Sequence, residues 1–221
     1  MPTEPSSDKP VEGRAGVPRV EAFSDGVLAI VVTIMVLEMH APEKPGAALL
    51  WHLWPTFVAY ALSYSYVAIY WVNHHRLFSH AKVVSGSLLW SNIALLFALS
   101  LVPFSASYLG KQSFSHESVV VYLVTMILPA LGYRWLLTVI QRTGTQTDAS
   151  RNYYRASIRK GLAAIAVYAL GFPLSFLSPW LGVGCAALVA IFWMLPWSPL
   201  DRLFLRDRGS GSRPVRLRER D

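Results

Sequence analysis

The sequence predicts an all-α, polytopic membrane protein with six transmembrane helices, the first of which lines a central pore in a symmetric oligomer. Three observations lead to that class. Only 15% of the 221 residues are charged, 53% are hydrophobic and the mean hydropathy is +0.38. Soluble domains carry about 25% charged residues, so too little charge is present to solvate a globular surface. Long stretches also lack Asp, Glu, Lys and Arg altogether, and the basic residues gather on alternate connections between those stretches. The single cysteine, Cys185, lies in an apolar run, which argues against a disulfide framework, a Cys-based zinc site and a CxxC redox motif. Residues 1–18 are polar and Pro/Gly-rich, without the apolar core of a cleavable signal peptide, and are expected to be a disordered cytoplasmic segment.

A crossing takes about 20 mostly apolar residues. The first span, 19–40, has an uncharged middle of only 12 residues, 26–37, between Asp25 and Glu38. A helix so polar at its ends is a poor lipid-facing element and belongs inside the bundle. The second span, 49–73, lies in the charge-free stretch 45–75, and the third, 83–109, in 83–110. The fourth, 118–140, carries Arg134 near one end, where the side chain can snorkel to the interface. The stretch 161–200 is too long for one crossing. Pro179 divides it into a fifth span, 157–177, and a sixth, 180–197. Pro103, Pro129 and Pro173 are expected to kink the third, fourth and fifth helices. Trp51, Trp54, Trp180 and Trp197 suit an interfacial aromatic belt.

Charge orients these spans. With the N-terminus, the 73–82 and 141–160 loops and the 201–221 tail on one side, that side holds 17 of the 20 Lys and Arg residues. The positive-inside rule makes it cytoplasmic, with both termini inside the cell. The net charge of +7 is thereby explained as topology and contact with anionic lipids at the basic loops and tail, and a nucleic-acid partner is not expected.

The first helix carries the most suggestive chemistry. At 100° per residue, Phe23, Val27, Ile30, Ile34 and Leu37 fall on one face, and Asp25 projects to the far side. Copies packed around an axis would stack rings of Ile30, Ile34 and Leu37, a hydrophobic constriction that forces an ion to shed water. K⁺ holds its hydration shell less tightly than Na⁺, so such a ring can favour K⁺ without a carbonyl filter. The same stripe also suits ordinary helix packing. Thr33 at its edge can offer a hydroxyl to an ion or bond its own backbone. Glu38 and His40, at the outer end, suit a pore mouth or a solvated boundary. At the inner end, Asp25 needs a partner, and Arg19, Asn73, His74 and His75 are the donors within reach. Alternatively, Ser24 or Asp25 caps a helix N-terminus. No TVGYG-like run, voltage-sensor ladder, catalytic triad, paired carboxylate or phosphate loop occurs, and no metal site is expected. The sixth helix holds Gly182-Val-Gly184, read as close helix packing.

The segment Arg19-Val-Glu-Ala-Phe23-Ser24-Asp25 with its aliphatic continuation resembles the RxxxFSD signature and first helix of the transmembrane protein 175 family, lysosomal potassium channels and their prokaryotic relatives. Trp71, His74 and His75 resemble the family's Trp-x-x-His-His segment, and six spans follow in the same order. The resemblance implies a potassium channel whose first helix lines the pore. It places the constricting isoleucine on Ile30, further layers on Ile34 and Leu37 and a pore-facing threonine on Thr33. It joins Arg19 and Asp25 to Trp71 and to His74 or His75 in a polar network. Leu28 and Val31 are positions at which such a helix varies freely. One six-helix repeat per chain implies a homotetramer in the plasma membrane of a prokaryote, with no cofactor and K⁺ as the permeant ion. The basic tail is no part of the family pattern. The expected function is a weakly to moderately K⁺-selective channel. The alternatives are a non-conducting membrane scaffold and a proton-coupled transporter using Asp25 and His74 or His75.

Overall fold

A computed structural model describes residues 16–41, 46–144 and 146–194. The 201–221 tail, Trp197 and all but the last residues of the 1–18 segment lie outside these. Among the described residues every regular element is helical: α1 (Val17–Leu37), α2 (Ala47–His52), α3 (Trp54–Phe78), α4 (Gly86–Ser100), α5 (Val102–Lys111), α6 (His116–Thr143), α7 (Asp148–Leu177) and α8 (Pro179–Met194). Four helices are long and apolar enough to cross a bilayer: Val17–Leu37, the nearly continuous Gly86–Lys111, His116–Thr143 and Asp148–Leu177. Helix α8 is apolar but has only 16 residues, and α3 has 25 residues but a polar last turn.

Local chemistry explains where the helices depart from the expected spans. Pro18 sits in the first turn of α1, where its missing N–H costs nothing, so the helix begins ahead of Arg19. Ser24 and Asp25 therefore lie well inside the helix, and neither caps it. Helix α3 runs on through Asn73, His74, His75 and Arg76 because each of the first three finds a hydrogen-bond partner. The third span is interrupted at Leu101, with Pro103 in the first turn of α5, whereas Pro129 and Pro173 lie within unbroken helices. Beside the donor that Pro129 removes from the α6 ladder, the Tyr66 hydroxyl donates to the Met126 carbonyl at 2.5 Å. Helix α7 starts at Asp148, nine residues before the expected 157. Thr147 and Ser150 form a capping box there, so a segment read as loop from its charge is helical.

The core lies where α4 packs on α6 and α6 on α7 and α8. Gly132 lets α4 approach: a Cβ there would stand 2.9 Å from the Leu95 Cα. Gly182 does the same for α8, where a Cβ would meet the Val119 side chain at 2.6 Å. At one end of the bundle Trp54 stacks on Trp180 with centroids 5.9 Å apart, and Phe114 packs on both.

Candidate functional site: helix α1 and its polar contacts

Helix α1 packs against α3, α4 and α5 through Val17, Ser24, Leu28, Val31 and Met35. Their spacing of three, four and seven residues makes one continuous face. Leu28 and Val31 are 2% and 3% exposed, so positions expected to vary freely are those that seat the helix. The aliphatic stripe lies on a different face. Phe23, Ile30, Ile34 and Leu37 are 60%, 58%, 42% and 73% exposed, and Val27 is half-buried. Among the described residues this aliphatic row is left largely uncovered within one chain. Thr33 is also exposed, and its hydroxyl donates to the Ile30 carbonyl at 2.9 Å.

Two separate polar chains fix the N-terminal half of α1. The first is buried. The His74 ring bonds the Asn92 Oδ1 through Nε2 at 2.8 Å, the Asn92 amide donates to the Ser24 hydroxyl at 2.8 Å, and Ser24 donates to the Val20 carbonyl. All three residues are at most 1% exposed. An amide oxygen only accepts, so Nε2 carries a proton, and Nδ1 has no partner among the described residues. The second chain is more open. The Trp71 indole donates to Asp25 at 2.9 Å, and His75 meets Glu21 at 2.7 Å with its ring stacked on Trp71. Asn73 turns to its own helix, donating to the Ile69 carbonyl. Arg19 has no side-chain partner among the described residues. Trp71 thus meets α1 directly at Asp25, whereas His75 meets it at Glu21 and His74 through Asn92, two residues that sequence reasoning passed over. The signal for Asn92 was an uncharged polar residue alone in an apolar span, since such a group seeks a partner in the membrane.

At the C-terminal end of α1 Glu38 accepts from the Ser107 hydroxyl at 3.0 Å and from Lys111 at 3.4 Å. His40 folds back on the Glu38 carbonyl. A groove of about 580 Å³ runs along α1 beside Ile30 and Ile34 to Glu38, with Phe104 and Tyr108 on its far wall. Among the described residues no group of three His, Cys, Asp or Glu side chains is placed to hold a metal ion.

Helices of this length and apolarity, with a bare aliphatic face and buried polar contacts within the bundle, define a multi-pass helical membrane protein. Residues 19–103 match the model of the family described as endosomal/lysosomal potassium channel TMEM175. A potassium channel of Chryseobacterium sp. (strain P1-3) is 42% identical over 184 residues, 83% of this chain and 95% of that one. One of Streptomyces collinus is 34% identical over 79% of this chain and 90% of that one. The crystal structure of a lysosomal potassium-selective channel TMEM175 homolog from Chamaesiphon minutus superposes with a TM-score of 0.72 at 29% identity, over 81% of this chain and 96% of that one. The chain belongs to the TMEM175 family, a family of ion channels and not of enzymes.

Proposed function

We propose that this chain forms a homotetrameric, K⁺-preferring cation channel with α1 around the pore. The observation that carries this reading is the division of α1 into a buried face and a bare aliphatic one. A second copy, and not lipid alone, is the natural cover for a helix whose ends carry Asp25 and Glu38. Around a fourfold axis, Ile30 and Ile34 form two rings one turn, about 5–6 Å, apart, with Leu37 as a third toward the outer mouth. Such rings exclude water, and an ion that passes loses part of its hydration shell there, which costs Na⁺ more than K⁺. Thr33 stands at the edge of the constriction with a hydroxyl oxygen to offer. Glu38 and His40 flank the outer mouth. Ser24 and Asp25, with Trp71, His74 and His75, hold the inner half of the helix in register with α3 and α4, and Arg19 and Phe23 complete the signature.

Six crossings are counted by adding α3 and α8 to the four long apolar helices. Both termini are cytoplasmic, the membrane is a prokaryotic plasma membrane, and the basic loops and tail lie against its anionic inner leaflet. The channel needs no cofactor. Purified protein in liposomes loaded with K⁺ tests the reading. Passive K⁺ flux that exceeds Na⁺ flux is expected, and absence of flux of either ion would defeat it.

A further inference from the structure

Away from α1, a second cavity opens between α3, α6, α7 and α8. Its walls include Tyr66, Asn73, Tyr133, Gly161, Tyr168 and Trp193, and it is a narrow crevice, with about 40 Å³ of room on the measure that gives the groove beside α1 about 580 Å³. From Asn73 to Tyr66 it runs seven residues along α3, about 10 Å. Two of its four tyrosine hydroxyls are turned to protein partners: Tyr66 donates to the Met126 carbonyl, and Tyr133 donates to the Asn73 carbonyl with the Tyr153 hydroxyl beside it. What faces the cavity is mainly ring and aliphatic carbon, so an apolar occupant fits and a polar one does not.

The mouth has the opposite character. Lys160, next to Gly161, holds its Nζ 5.6 Å from the Trp193 ring centre and 5.8 Å from that of Phe192. A lysine above interfacial aromatics keeps its stem on apolar surface and its charge at headgroup level. Arg76 stands three residues beyond Asn73 on α3. We infer that this crevice binds one acyl chain of an anionic phospholipid from the cytoplasmic leaflet, with the phosphate at Lys160 and Arg76. Charge complementarity selects the lipid class: basic rims between membrane helices on the cytoplasmic side suit anionic headgroups, and the tyrosine-lined interior suits the chain. The inference rests on the proposed membrane orientation but not on ion conduction.

Binding is therefore the readout. The purified full chain in detergent is mixed with dioleoylphosphatidylglycerol or dioleoylphosphatidylcholine, and retained lipid per subunit is counted by native mass spectrometry. Phosphatidylglycerol is expected to be retained about tenfold more than phosphatidylcholine. Gly161 lines the crevice and a Cβ there meets nothing within 4 Å, so Gly161→Leu adds bulk at the lining and should fold. It is expected to lose this lipid, while Lys160→Gln is expected to lower the phosphatidylglycerol preference about fivefold. Retention by Gly161→Leu at the level of the natural chain would overturn the crevice as the binding place, and equal retention of the two lipids by the natural chain would overturn the anionic headgroup.

Discussion

Asn92 shows how much a single buried polar side chain can hold. It joins His74 on α3 to Ser24 on α1, and in a region with no water each of these groups depends on the other two. Asn92→Leu would leave the His74 N–H and the Ser24 hydroxyl short of a partner, at a cost of about 2–4 kcal/mol. Trp71→Phe removes a bond between half-exposed groups and should cost about 1 kcal/mol. Thermal unfolding of the two variants in detergent should rank them in that order, and a reversed order would contradict the central place given to Asn92. At this scale the sequence was only partly legible. The charged residue Asp25 and the adjacent histidines announce themselves in an apolar span, but pairing is decided by three-dimensional proximity. His74 and His75 point 100° apart on α3, and so one reaches Asn92 and the other Glu21.

At the scale of the helix, periodicity was the reliable guide. The stripe from Phe23 to Leu37 was readable from spacing alone, and so was its separation from Asp25. Whether a stripe packs or stays bare is not written in its spacing, because both uses need the same residues. Only the packing of α1 through Leu28, Val31 and Met35 separates the two faces. Helix ends were less legible: hydropathy marks where apolar character stops, while α7 starts at a capping box in a charged segment and α4 stops one residue before Leu101. The bare face makes its own prediction. Cys185 is the only cysteine, so with Cys185→Ala as background, Ile34→Cys presents one thiol on α1. A water-soluble, cationic thiol reagent should block K⁺ flux through Ile34→Cys. It should spare Leu188→Cys, whose parent residue on α8 is more exposed than Ile34, 58% against 42%, but lies outside the proposed pore. Flux through Ile34→Cys that survives modification would contradict the pore-lining role.

At the scale of the whole molecule, composition and charge placement carried most of the argument. Low charge indicated a bilayer, and sorting the basic residues by connection turned a net charge of +7 into an expected orientation. Family membership adds that the architecture belongs to ion channels. The central claim is that discrimination between K⁺ and Na⁺ arises at a ring of aliphatic side chains, not at backbone carbonyls. Ile30→Asn replaces a dewetted ring with amides that can hydrate an ion, without disturbing the face through which α1 packs. The ratio of K⁺ to Na⁺ flux in liposomes, natural chain against Ile30→Asn, is the most direct test. The account predicts that the variant still conducts and that its ratio falls toward unity; a ratio equal to that of the natural chain would contradict it.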